Sequence, residues 1–381
     1  MKNYLLLFLF LLLLIVSCND NVEICSELTL ETNKSIIPIE DVYDFASTTN
    51  PSIFLTEELN SNKSLQSLDF SVEIIQNAQS DTLYYVINYG ANEGYILLDA
   101  AANADFPILA FNDTGKFCSD NIESLPISKV ENDTAVFTWS EVGLPMLSLV
   151  ESQSFNKSGK GDAKLEKYVM PNVGKKYKWG QGAGYNNDAP NKASIGCPAI
   201  AIGLLCMHNR FPHKFEYDQV PTEIIGDDGT KSNTLSKMLK EIADYIPNYI
   251  WGKTKDALSG AEDSDIIVGL HKMGFSKAEY GKVNISTIIS DIQKNQAVLL
   301  TGEHKYDYDS HIWFCDGVTQ FVCTRKEDNS DKGIVTAPSM LKRRTYLYFN
   351  MGNNGKNDGW YYTQNWGEFS YKQRMFTNLT Y

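Results

Sequence analysis

The sequence predicts an α+β protein: a small mixed domain, then a larger one in which helices lead and antiparallel strands follow. Three observations carry that expectation. Alternating apolar runs with a tight turn come early, at residues 81–113. One almost uninterrupted apolar helix begins near Pro198, with two amphipathic helices after it. Strand-like runs then fill the carboxyl-terminal part, which suggests two face-to-face subdomains with a cleft between them. The 381 residues are 43% hydrophobic, enough apolar material for two cores. A formal charge of -13 argues against nucleic acid as a partner, because it repels a phosphate backbone.

The chain opens "MKNYLLLFLFLLLLIVSC", one lysine and then an apolar stretch from Leu5 to Val16. That stretch is shorter than the ~20 residues a spanning helix needs and reads as a signal peptide, residues 1–17. Ile15, Val16, Ser17 and Cys18 resemble a bacterial lipobox, in which the cysteine is lipidated. Cys18 is therefore the expected lipidation site, and the expected location is the cell envelope, lipid-anchored to a bacterial outer membrane. The other six cysteines, Cys25, Cys118, Cys197, Cys206, Cys315 and Cys323, show no CxxC spacing. No metal site and no cofactor are expected. If one cysteine must stay reduced in an oxidising compartment, five are left and complete pairing is impossible.

Residues 18–153 read as the first domain. Its strands are "DTLYYVINYG" (Asp81–Gly90), "EGYILLDA" (Glu93–Ala100) and "FPILAFND" (Phe106–Asp113), the first two joined through Ala91 and Asn92 as a hairpin. Helix-like spacing runs from Ala135 to Val150, interrupted at Gly143 and Pro145. The stretch "ESQSFNKSGKGDAKLEK" is rich in Ser, Gly and Lys, so an exposed, protease-accessible linker is placed at 154–167. The second domain, 168–381, carries the apolar helix, amphipathic helices at Asn233–Ala243 and Asp263–Met273, and strands starting near Gln296, His311, Thr345 and Gly359.

Chemistry concentrates in "SIGCPAIAIGLLCMHNRFP". Pro198 suits the start of a helix, where a missing N–H costs nothing, and this sets Cys197 at the helix tip. A sulfur there faces unpaired backbone N–H groups and the positive end of the helix dipole, which favour thiolate. Gly196 leaves room beside it for a substrate backbone. A base is needed, and His311 opens the strand "HIWFCDGV" after a polar turn, where its ring can project from the strand end. His208 lies too far along the same helix and is expected to cap its end. His213, His271 and His304 read as surface or structural residues. "GDDGTKS" lacks phosphate-loop spacing, and "YDYDS" and "NNGKNDG" match no calcium-binding loop.

Three blocks in order, "GCPAIAIGLLCMHNRFP", "HIWFCDGV" and "NMGNNGKNDGWYY", resemble the signatures of the streptopain family of papain-like bacterial cysteine peptidases. There the blocks read approximately GCVATAxAQIMKYxxYP, HAWVxDG and NWGWGGxxDGYY. The hairpin and "FPILAFNDTGKF" are similar to that family's inhibitor-type prodomain. The resemblance implies a papain-like catalytic domain, helical plus antiparallel β, behind an inhibitory prodomain. It implies an exported endopeptidase made as a zymogen, with Cys197 as nucleophile, His311 as base, and protein or peptide substrates. Gln181 and Asn191 are candidates for the second oxyanion donor, beside the Cys197 amide.

This chain departs from the pattern around the histidine. Met351 and Asn353 stand where the family has tryptophans, Asn350 is kept, Ser310 replaces a glycine, and Pro198 replaces a small apolar residue. Asn350 and Asn353 are candidates for orienting the imidazole, Asn353 through its side-chain carbonyl. The alternatives are an envelope lipoprotein with a degenerate peptidase fold that binds without cutting, and an acyl transferase with the same dyad.

Overall fold

The structure is a computed structural model that describes residues 36–55, 68–76, 80–101, 107–118, 162–224, 233–303, 310–324, 341–363 and 371–381. The signal segment with Cys18, Cys25, His304, the helix-like stretch 135–150 and the first part of the linker lie outside them.

Four strands open the fold: β1 (Phe70–Gln76), β2 (Thr82–Tyr89), β3 (Tyr95–Asp99) and β4 (Ile108–Asn112). They form an antiparallel meander, with Ile87 opposite Ile96 and Leu97 opposite Ala110. Every residue of β3 and β4 is buried, because both faces of the sheet are covered. Helix α1 (Ile39–Thr48) lays Val42, Phe45 and Ala46 on one of those faces.

The rest of the chain supplies β5 (Asp162–Val169), α2 (Val173–Lys176), α3 (Cys197–Asn209), α4 (Asn233–Tyr245) and α5 (Asp263–Met273). After them come β6 (Glu279–Lys282), α6 (Ile285–Gln293), β7 (Val298–Glu303), β8 (Ser310–Thr324), β9 (Leu341–Asn350), β10 (Gly359–Tyr362) and β11 (Tyr371–Thr377). Helix α3 is buried from Pro198 to Met207. Leu204 and Leu205 share a core with Leu235 and Leu239 of α4, Leu270 of α5, and Ile312 and Phe314 of β8. A helix apolar on all sides must be packed on all sides, and α3 is the central helix.

The two domains do not own separate sheets. The strand order is β1-β2-β3-β4-β10-β9-β8-β7-β11-β6, with β5 paired to β8. The join is at β4 and β10, where Trp360 lies opposite Phe111 and Tyr361 opposite Ala110. Beside it Phe111 stacks on Trp360 at 6.3 Å and meets Tyr346 edge-on at 5.2 Å. An uncovered β10 would present unpaired backbone groups, and β4 satisfies them.

One boundary differs from the sequence expectation. Residues 162–167, assigned to the exposed linker 154–167, belong to β5, which pairs along β8 from Asp162↔Thr324 to Val169↔Val318. Half of the long strand β8 extends past β7 and takes a partner there, and a lysine-rich segment fills that place as well as an apolar one, because ladder bonds are made by backbone.

Gly359 shows how closely the two domains meet. A Cβ added there would lie 2.4 Å from Tyr95 Oη and 2.9 Å from the Phe111 carbonyl. Gly359→Ala is expected to destabilise the full chain by about 1–3 kcal/mol through overpacking at this join. Denaturant unfolding checks it, and an unchanged midpoint would mean that the join is looser than described.

Candidate active site

The sequence places the thiol where a helix begins. Gly196 is the N-cap of α3 at φ +86°, Cys197 is the first helical residue and Pro198 the second. Cys197 is partly buried at the edge of the helical core. Among the described residues Cys206 and Cys315 are free thiols. Cys206 and Cys315 are fully buried, and loss of solvent pushes both thiols up, so neither is suited to be a nucleophile. The space beside Gly196 is not left for a substrate, as expected from the sequence. A Cβ there would meet Tyr249 Oη at 2.4 Å and the Ser259 carbonyl at 2.7 Å, so the chain's own loop occupies it.

His311 sits near the start of β8, opposite Gly302 of β7. Its ring stacks on the buried Trp313 at 6.0 Å. Its Nε2 lies 3.0 Å from the Met351 carbonyl oxygen. A carbonyl can only accept, so Nε2 carries the proton in this contact and Nδ1 is the basic nitrogen of the neutral ring. That tautomer leaves the base on the side of the ring away from Met351.

Met351 is itself held. Its N–H donates to Asp358 Oδ1 at 2.8 Å, and Asp358 Oδ2 lies 3.2 Å from Lys178 Nζ. Burial pushes the Asp358 carboxyl up, while Lys178 and the Met351 amide pull it back down. The Asp358 carbonyl accepts from Tyr95 Oη at 3.1 Å and from Asn112 Nδ2 at 2.9 Å, both in the first domain. Lys175 pairs with Asp113 beside them.

Of the asparagines considered as orienting groups, neither touches the ring in the expected way. Asn350 is buried, and its Nδ2 donates to the Gly174 and Tyr177 carbonyls at 2.8 and 2.7 Å while its Oδ1 accepts the Gly352 N–H. It clamps the loop after β9 to α2. Asn353 is exposed. The carbonyl facing Nε2 belongs to the Met351 backbone, so the expectation that the Asn353 side chain fills that place is corrected. The chain leaves β9 at Asn350, and a carbonyl past the strand end is no longer claimed by the ladder.

Gln181 is drawn to the turn before Cys197 and Asn191 is not. The Gln181 carbonyl accepts the Ile195 N–H at 2.8 Å, and its Oε1 accepts from Ser194 Oγ at 3.3 Å, which turns Nε2 the other way. Asn191 is exposed at φ +57° and its Nδ2 lies 3.5 Å from the Gly252 carbonyl. The two halves of the site touch through their loops. Asn354 N–H donates to the Trp179 carbonyl at 2.8 Å, and Gly352, next to Met351, lies so close to α3 that a Cβ would be 2.8 Å from Ile200 Cγ2.

Two acids were not singled out from the sequence. Asp316 interrupts the β8–β9 register between Cys315 and Gly317, and its Oδ2 accepts the N–H groups of Asn172, Val173 and Gly174. Asp358 ends the loop that holds Met351. Each precedes a glycine, in "CDGV" and "NDGW", and an acid–glycine pair inside an apolar strand is the signal that was available. His208 bridges rather than caps: its Nε2 lies 3.0 Å from the Asn295 carbonyl and its Nδ1 3.9 Å from Asp316. His271 Nε2 lies 2.9 Å from the Ala278 carbonyl, and His213 packs on Phe211 and Tyr381.

The fold and one segment of the chain are similar to known proteins. Residues 51–129 match the family of the Spi protease inhibitor. The fold is that of a solved fragment of prointerpain A from Prevotella intermedia, a cysteine-to-alanine mutant, at 17% identity and TM-score 0.50, over 82% of this chain and 99% of that one. The active wild-type interpain A cysteine protease of the same organism aligns with 56% of this chain and 100% of its own, at 17% identity and TM-score 0.40. No curated protein sequence matches. The chain thus has the fold of that prointerpain A fragment and, within residues 51–129, a match to a protease inhibitor family.

Asp358→Ala should cost about 1–3 kcal/mol of stability, because it leaves the Met351 amide without its acceptor and Lys178 without its partner. Asn353→Ala should stay within about 0.5 kcal/mol, as surface substitutions do. Equilibrium unfolding of the two variants compares them, and similar losses would contradict the assignment.

Proposed function

We propose that the chain is the zymogen of an exported, lipid-anchored cysteine endopeptidase, with Cys18 as the anchor and residues ahead of Asp162 as its inhibitor. The observation that supports it best is His311 Nε2 at 3.0 Å from the Met351 carbonyl, which leaves Nδ1 as the base, in a chain whose α3 begins at Cys197. In this reading the Cys197 sulfur gives its proton to His311 Nδ1 and attacks a peptide carbonyl. The C–N bond breaks as Nδ1 returns the proton to the leaving amine. Water, deprotonated by the same nitrogen, then cleaves the thioester and releases the acid. The oxyanion is met by the Cys197 N–H, a first-turn amide, and by Gln181 Nε2.

Inhibition by the first domain is supported by its match to a protease inhibitor family and by where its side chains bind. Tyr95 and Asn112 hold the carbonyl of Asp358, the residue that also holds Met351. Purified precursor under reducing conditions is expected to shorten by cleavage within residues 151–161, while Cys197→Ala stays full length. Equal shortening of both would reject self-processing. Selective iodoacetamide labelling of Cys197 near pH 6 is expected as well; labelling no faster than that of an ordinary thiol would favour the non-catalytic lipoprotein.

A further inference from the structure

The N-cap of α3 lacks a capping side chain, since Gly196 has none to give. Its place is taken from outside the helix. The loop after α4 returns beside the nucleophile turn, where Ser194 N–H donates to the Ala257 carbonyl at 2.9 Å. Tyr249, on that loop, donates its hydroxyl to the Ile195 carbonyl at 2.5 Å, and the nearby N–H of Ala199, the third residue of α3, acts on the same oxygen and pulls the phenol down. An N-cap side chain faces that same third helical amide in other helices. Trp251 packs on the Tyr249 ring at 4.8 Å and holds it there.

We propose that Tyr249 is the positioning residue of the nucleophile: it closes the turn from Ile195 to Ala199 from the side and holds Cys197 against the first amides of α3. This rests on the reading of Cys197 as nucleophile given above. Gly196 follows from it, because the Tyr249 hydroxyl and the Ser259 carbonyl stand where any Cβ would be. Desolvation pushes the Tyr249 phenol well up, and the neighbouring Cys197 adds to it, so the hydroxyl keeps its proton and stays a donor. The other ionisable groups on the packed segments are the exposed Lys192, Lys253, Lys255 and Asp256, with His311 as the proposed partner of the thiol.

The test is the rate of Cys197 alkylation by iodoacetamide against pH, read by mass spectrometry on the full chain. With Tyr249→Phe the first turn loses its cap, the amides no longer converge on the sulfur, and the midpoint should rise. At about pH 6 the rate should fall about threefold or more, while at about pH 9.5, where the thiol is ionised in both proteins, the rates should agree. Tyr245→Phe, which removes a hydroxyl from the same neighbourhood of α4, should leave the profile unchanged. Superimposed profiles for Tyr249→Phe and the native chain, or an equal loss at every pH, would overturn the proposal. If Tyr249→Phe does not fold, Gly196→Ala pushes the hydroxyl off the turn from the other side; the same rise is expected, and its absence is equally contrary. The native profile alone judges the nucleophile, and the difference between profiles judges Tyr249.

Discussion

Asp358 is a fully buried carboxylate, and a carboxylate survives burial only when its oxygens are occupied. Its side chain holds the Met351 amide and the Lys178 ammonium, and its own carbonyl holds Tyr95 and Asn112. Those partners come from the loop beside His311, from the loop leading to Cys197 and from the first domain. Moving any one of them away orphans a polar group in a place water does not reach. The histidine tautomer, the approach of the loops and the seating of the first domain are therefore one constraint.

A second acid, Asp316, does similar work at the start of α2. Asp316 sits at the break in the β8–β9 register and gathers three successive N–H groups at the start of α2. Asn350 fastens the carbonyls of Gly174 and Tyr177 in the same region. The chain from α2 to α3, which carries Gln181 and ends at Cys197, is thus tied to the same strands that carry His311 and Met351. A site assembled from loops keeps its geometry when each loop is anchored by buried, satisfied polar groups.

Much of this was legible in the sequence. The hairpin showed in its alternation and turn, α3 in an apolar run with a proline at its start, and the amphipathic helices α4 and α5 in their spacing. Cys197 stood out as a candidate at a glycine–cysteine–proline helix tip, and His311 as a candidate at a strand start. What was hidden depended on contacts distant in sequence. Strand β5 looked like a linker because its composition is that of a linker and its partner lies more than a hundred residues on. The union of the two domains in one sheet leaves no local mark, since a strand pairs with its backbone. The carbonyl facing His311 was assigned to a side chain because an asparagine was in view, whereas every residue has a backbone carbonyl and none advertises its use. Tyr249 was hidden for the same reason that a cap supplied by a remote loop has no spacing to find.

The account turns on the state of one imidazole. Nitrogen-15 NMR of the His311 ring in the full chain near neutral pH reads it most directly. The neutral ring is expected as the tautomer with its proton on Nε2, bonded to the Met351 carbonyl and slow to exchange with water, and with Nδ1 unprotonated. A ring carrying its proton on Nδ1, or an even mixture of the two tautomers with a rapidly exchanging proton, would contradict it.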